Sequence, residues 1–526
     1  MEFEINRKQK TKNIIYLVKV ILMCVLLISV VFEMIFFPSV ENLVGCVMMI
    51  ICYVIFVNLF LKTSIIINFP FAFIMLLSMF MYRFLPIPAT LLEGIPVSYG
   101  MQIPIKTFLL ETILFFISSC AFYFATINNN RNNLVQKIFK KLGFYKPTNS
   151  RTLWIIGIIA CLIRIITFSM GQISIGNVLG KILMPFTTFM YTPMLLFFHG
   201  LYTGKYEEKP NFKQPIIWIY LIFISVLNLA ANSRESLIEP IGIIALLYMI
   251  YLCINNISLN NIMSPRRIIP ILLVSFISLN LLTIASDAIL SVRDNRTEFN
   301  FIELIELTFD KIGDLHEEDD DYMKNSYIPP YEAGWTETYL SNFILNRYAN
   351  MRISDETLYL GERIIRSNNT EIMLEDFINR IVLILPQPLI DILGFDINKE
   401  NYQFSRGDAL YVYSGIGSSY NFGGYRVTSH IGDGITTFGY LYFLIQFLVF
   451  YIVFKLLNCY SYNEKNNTVV YSVYGLFSLY TCLNIFRNAN GMIGEINFIG
   501  RNYWQEIILF MIIFIFAKFI SRIRIR

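Results

Sequence analysis

Histidine is scarce in this chain, three in 526 residues, and His430 is the one placed for proton transfer. It stands just ahead of a long apolar run, in the stretch Gly423-Gly424-Tyr425-Arg426-Val427-Thr428-Ser429-His430-Ile431-Gly432-Asp433-Gly434. Imidazole is the side chain whose ordinary pKa suits general acid–base work near neutrality. Asp433, three residues on, would raise that pKa if its carboxylate faces the ring, and nearby arginines would lower it. His199 falls near a membrane end and His316 in an acidic tract, so neither has this setting. A lone histidine is also often structural, and both readings stand.

Arginines form the second group. Arg293, Arg296, Arg347, Arg352, Arg406 and Arg426 are spread over a polar stretch of residues 291–433, and Arg487 and Arg501 flank the last short linker. A guanidinium stays charged and grips phosphate through two parallel hydrogen bonds. Several of them over one cavity would hold a diphosphate, although each also has acids nearby with which to pair. The third group is Asn232-Ser233-Arg234-Glu235, between two apolar runs. That turn is so short that Arg234 must sit at the membrane surface. Glu235 and Glu239 follow on one helical side at i, i+4 spacing, able to hold Arg234 or to meet a ligand's hydroxyls. The alternative for Arg234 is a snorkelling interfacial arginine. Arg164 and Glu111 fall inside apolar runs, where charge is costly and is either functional or paired.

The elements that must position these groups are membrane helices. The chain is 55% hydrophobic and only 15% charged, far below the roughly 25% of a soluble domain, with a mean hydropathy of +0.55. Runs of about 20 apolar residues fall near 14–37, 43–62, 64–82, 105–126, 152–170, 182–202, 216–231, 237–255, 269–288, 434–456, 468–485 and 504–521. The first follows Arg7, Lys8, Lys10 and Lys12 and has no small-residue cleavage site, so it reads as an uncleaved span. Basic clusters such as Lys137, Lys140, Lys141 and Lys146 lie in alternate linkers. The positive-inside bias then puts both termini in the cytoplasm and residues 291–433 outside.

The expected fold is all-α and polytopic. It has about 12 transmembrane helices and one large, partly helical extracytoplasmic loop. Residues 1–288 form a bundle of about nine helices, 289–433 a loop capping the active site, and 434–526 a bundle of about three. Inside the loop, Phe301–Phe309, Leu340–Tyr348, 355–366 and 372–385 carry helical periodicity. Glu317–Asp321 is an acidic tract, read either as a solvated surface or as a Ca²⁺ site. The eight cysteines avoid the polar stretch and show no C-x-x-C spacing, which excludes a disulfide framework. The net charge of +4, with the basic residues acting as topology signals, gives no footprint for nucleic acid.

With these features in view, the chain resembles the bacterial O-antigen polymerase (Wzy-type) family, the oligosaccharide repeat unit polymerases, and more distantly the O-antigen ligases. The resemblance rests on many spans with one large late loop, on Asn232-x-Arg234 opening a span, and on Ser429-His430-x-x-Asp433-Gly434-x-x-x-Phe438-Gly439-Tyr440-Leu441. Tyr442 stands where these enzymes carry a second glycine. It implies a metal-independent, inverting GT-C glycosyltransferase without cofactors, acting on a glycan carried by undecaprenyl diphosphate. It also implies a place in the bacterial inner membrane, beside a flippase and a chain-length regulator. By the resemblance, His430 would be the base, Arg234 would act with it, and outer-cavity arginines would hold the diphosphate. Other GT-C transferases or ligases, and a lipid-linked glycan flippase or transporter, are the competing classes. A transporter would be expected to show internal repeats and compact loops, and this chain shows one dominant loop instead.

Overall fold

The computed structural model describes residues 2–127, 132–169, 183–230, 234–257, 330–464, 468–486 and 491–522. These residues are predominantly helical. Among the described residues, six helices are long and apolar enough to cross a membrane: Ile15–Phe36, Val40–Phe60, Pro104–Ala125, Ser150–Thr167, His430–Tyr460 and Met492–Arg522. Pro70–Phe84 and Pro86–Leu92 form a pair bent by 47°, and count as a seventh if the pair is one span. Pro86 explains the bend, since its ring cannot donate a backbone hydrogen bond and clashes with the preceding turn.

Several of the twelve expected runs take other forms. The apolar parts of the seventh and eighth, Pro215–Asn228 and Ile238–Ile254, are shorter helices. The sixth is a 3₁₀ helix, Met184–Phe198, with Pro193 inside it. At about 2.0 Å rise per residue this element is nonetheless some 30 Å long, close to the thickness of a bilayer core. The run at 468–485 is not one helix. It begins as a strand, Val469–Tyr471, paired antiparallel with Ser461–Asn463, and continues as two short helices, Val473–Phe477 and Leu479–Asn484. Ser472 ends the strand and caps the next helix by accepting the Gly475 amide. Among the described residues this small ladder is the exception to an otherwise helical architecture. The expected span at 269–288 and the expected helix Phe301–Phe309 lie outside the described residues.

The described part of the polar stretch is helical where its periodicity predicts. Phe343–Ala349, Arg352–Arg366, Thr370–Val382, Gln387–Ile392 and Arg406–Tyr413 are its α-helices. It is bound tightly to the apolar helices. Arg352–Arg366 crosses the first turns of His430–Phe438 at very close range. A Cβ on Gly432 would lie 2.4 Å from Thr357 Oγ1, and one on Gly361 would lie 2.0 Å from Thr436 Oγ1, so glycine is required at both points of approach. Asp355 ties the same helix to the start of Pro104–Ala125. Its carboxylate accepts the Gln102 amide at 2.7 Å and the Thr107 hydroxyl at 2.8 Å, at a helix N-terminus where negative charge is favoured.

Candidate active site

His430 enters the site through a helix cap. Ser429 Oγ accepts the Gly432 amide at 2.9 Å and shares a 2.6 Å hydrogen bond with Thr357 Oγ1. The cap fixes where the helix begins, and so fixes His430 in its first turn. The imidazole stacks on Phe486 with ring centroids 4.7 Å apart. Its Nε2 lies 2.7 Å from the Phe486 carbonyl oxygen. A carbonyl only accepts, so the proton is assigned to Nε2, and Nδ1 carries the lone pair. Nδ1 is buried without a hydrogen-bond partner. Glu495 Oε1 sits 3.4 Å from Nε2, and Gln446 donates to Glu495 Oε2 at 2.7 Å.

His430 lines a cavity of about 530 Å³ where the polar stretch meets the apolar helices. One side is Glu337, Asn346, Arg347, Asn350 and Ser354, with Val427 to Ser429. The other is Tyr82, Glu111, Thr481, Asn484 and Phe486, with Phe498, Asn502 and Glu506. The volume is that of an ordinary ligand site. Amides, hydroxyls, carboxylates and aromatic faces dominate the lining, a composition suited to a polyhydroxylated ligand. The floor is held by a buried ion pair, Arg83 Nη2 to Glu111 Oε2 at 2.6 Å. Ser354 donates to Glu111 Oε1 at 2.7 Å, and Tyr82 Oη lies 2.9 Å from Ser354 Oγ. The roof and the floor of the cavity are thereby one hydrogen-bonded unit.

Of the residues singled out from the sequence, His430, Arg347 and Glu111 reach this cavity. Arg352 does not. It is buried, donating to the Thr336 and Gly100 carbonyls at 2.6 and 3.2 Å, and so pins two loops. Arg426 pairs with Asp408 at 2.9 Å and lies over the Tyr411 ring. Arg501 is half-buried and donates to Gln505 at 3.0 Å. Asp433 turns away from the imidazole. Its Oδ1 takes the buried Arg406 guanidinium at 2.5–2.7 Å, and Arg406 also reaches Asp376 at 2.6 Å and Thr437 at 2.6 Å. Glu239 is hydrogen-bonded to Tyr191 and does not line the cavity. Arg293, Arg296 and Arg487 lie outside the described residues, as do the side chains of Arg234 and Glu235. The backbone of Arg234 opens the helix Arg234–Ile254, and that helix packs against Leu479–Asn484, whose Thr481 and Asn484 line the cavity. The expected convergence of several arginines therefore reduces, among the described residues, to Arg347.

The sequence reading missed Arg83, Tyr82, Glu337, Asn350 and Glu506. Arg83 stands one residue past an apolar run, where it passes for a flanking charge, yet it is the partner of Glu111. Among the described residues, no three His, Cys, Asp or Glu side chains converge as metal ligands would. No protein-family model matches this chain, and no curated protein or solved structure matches it.

Proposed function

We propose that this chain is a membrane glycosyltransferase. It polymerises undecaprenyl-diphosphate-linked oligosaccharide repeat units into a surface polysaccharide (O-antigen, capsule or exopolysaccharide) on the outer face of the bacterial inner membrane. In this reading about twelve spans carry the chain, both termini are cytoplasmic, and the polar stretch lies outside, beside a flippase and a chain-length regulator. The observation that carries the reading is His430, its Nδ1 buried without a hydrogen-bond partner, in the wall of a cavity lined by amides, carboxylates and aromatic rings.

The chemistry follows from that placement. An acceptor hydroxyl gives its proton to Nδ1, while its oxygen forms a bond to the anomeric carbon of the donor sugar. The bond from that carbon to the diphosphate oxygen breaks, and its electron pair leaves with the diphosphate. Attack opposite the leaving group inverts the anomeric centre. Arg347 takes up charge on the leaving group, an electrostatic stabilisation that needs no metal. The Phe486 carbonyl keeps the Nε2 proton in place, and the Glu495 carboxyl stands 3.4 Å from the same nitrogen.

A lipid-linked glycan flippase is the second reading. It is favoured by one observation: Glu111 and Glu506, both within membrane-spanning helices, line the same cavity, as acids on transport pathways do. The glycan profile of a deletion strain separates the two. Single repeat units at the surface or on the carrier support the polymerase, and loss of all surface glycan supports the flippase.

A further inference from the structure

The helix Thr370–Val382 has two faces, and among the described residues only one is packed. Its inner face is buried. Asp376 holds Arg406 at 2.6 Å and Arg380 at 2.7 Å, and Phe377 meets Phe438 edge to face at 5.0 Å. Its outer face carries Leu374, Ile378 and Ile381 at i, i+4 and i+7, all exposed. The chain turns at Pro386 and forms a second short helix, Gln387–Ile392. There Leu389, Ile392 and Leu393 are exposed as well, Ile392 79% and Leu393 59%. Together these exposed apolar side chains are the apolar ridge of the hairpin. Exposed apolar surface of this kind is costly in water and marks an interaction site.

The ridge also has a defined height. Thr370–Val382 packs on Met492–Asn497. A Cβ added to Gly500 would lie 3.5 Å from Ile384 Cγ2, and Gly500 is about two turns into the Met492–Arg522 span. Trp504, one turn further, is of the type enriched at membrane interfaces. The hairpin is thus packed directly against a helix long and apolar enough to cross the membrane. We infer that the hairpin of residues 370–395 lies in the lipid leaflet on the side of the polar stretch, with its apolar ridge among the acyl chains. Glu371 and Glu375 are the charges on the first helix's exposed side, and no lysine or arginine lies on the ridge. Insertion is therefore driven by apolar area and not by anionic headgroups. The element serves as a monotopic anchor that holds the helix of His430, through Asp376, Arg406 and Asp433, at a fixed depth.

The test uses the full chain in vesicles of phosphatidylethanolamine with and without phosphatidylglycerol. Nitroxides are placed by cysteine at Ile378, Ile392 and Tyr420 in a variant lacking the eight native cysteines. Tyr420, 96% exposed, is the aqueous reference. At positions 378 and 392 oxygen should relax the label more than a water-soluble nickel chelate, with a depth about 5–10 Å below the headgroup boundary. Position 420 should show the reverse, and removing phosphatidylglycerol should change nothing. Nickel preference at 378 and 392 would show the ridge in water and overturn the inference. Shielding from both colliders would show protein covering it, whether another segment, a second copy or a partner, and would overturn it equally. If the cysteine-free chain fails to fold, Ile392→Trp in the otherwise native chain replaces it. Brominated lipid should then quench more fluorescence than in the parent protein, and no added quenching rejects lipid contact.

Discussion

His430 Nε2 lies 3.4 Å from Glu495 Oε1 without a hydrogen bond between them, while the 2.7 Å bond from the same nitrogen goes to the Phe486 carbonyl. The backbone carbonyl therefore sets the tautomer, and the carboxyl is placed to respond when the ring gains a proton. This division of labour predicts a graded series. His430→Ala should cut polymer formation by about 10²–10⁴-fold, the usual worth of a general base, and His430→Gln should be almost as poor. Glu495→Gln should lose less, because the tautomer survives. The double variant His430→Gln/Glu495→Gln should be no worse than His430→Gln, since coupled residues are not additive. Additive losses measured on lipid-linked repeats would separate the two residues.

The Arg406–Asp433 pair predicts a loss of fold instead of a loss of chemistry. Arg406 is buried, and its guanidinium satisfies Asp433, Asp376, Thr437 and the Met373 carbonyl. Removing one member of a buried pair costs about 3–5 kcal/mol. Arg406→Ala should therefore lower the thermal midpoint and the amount of protein recovered in detergent. Asp433→Asn should do so less, because the amide still accepts. An Asp433→Asn variant with unchanged melting but a raised KM would return Asp433 to the substrate.

The crossing at Gly361 and Gly432 predicts a similar outcome by another cause. A methyl group at either position enters space held by Thr436 or Thr357. Overpacking typically costs about 1–3 kcal/mol, and the two helices must part to relieve it. Gly432→Ala should weaken protease resistance of the polar stretch, and Thr357→Ser beside it should not restore it, since serine keeps the Oγ, Cβ and backbone carbon that the added methyl meets. Unchanged digestion would show that the helices tolerate the added volume.

Glu356 gives a pH dependence with a definite sign. Burial raises its carboxyl to about 8, outweighing Arg352 at 3.4 Å, whose Nη1 donates at shorter range to Thr336. The folded state thus holds a proton that the unfolded chain releases near pH 4.3. The contribution is fully present below that value and is lost as pH rises toward about 8. Melting midpoints should fall between pH 5 and pH 9, and Glu356→Gln should flatten part of that fall. A midpoint that rises with pH in the native protein, and is unaffected by the substitution, would contradict it.

What the sequence made legible was local. Residues 355–366 and 372–385 repeat every 3.6 positions, and the first is helical throughout while the second is helical to Val382. Hydropathy found the long helices because a span is a property of contiguous residues. The run at 468–485 misled because hydropathy does not register a break such as Ser472 or Ser478. Pairings were illegible for the same reason in reverse. Glu111 was marked as a buried charge, but its partner Arg83 stands 28 residues earlier. Asp433 and Arg406 are 27 apart, so nothing local says that Asp433 turns from the imidazole. The cavity itself is assembled from segments between Tyr82 and Glu506, and no single stretch announces it.

Arg347 and Arg352 make the sharpest contrast, since five residues separate them and the structure gives them different work. Arg347 lies in the last turn of Phe343–Ala349 and borders the cavity. Arg352 is buried against loop carbonyls. If Arg347 meets the diphosphate, Arg347→Ala should leave accumulation and melting close to native while lowering both donor affinity and turnover. Arg347→Lys should recover affinity in part but little turnover, because an ammonium keeps the charge without the fork that spans two phosphate oxygens. Arg352→Ala should instead fail to accumulate, because Glu356 and the Thr336 carbonyl lose their donor. Arg352→Lys should be almost as unstable, since one ammonium cannot reach Gly100 and Thr336 in the same directions. The measurements are donor binding to purified protein, polymer length from lipid-linked repeats, and thermal midpoints for all four variants. Native binding and polymer in Arg347→Ala would remove the diphosphate from this side of the cavity, and attention would pass to Arg234.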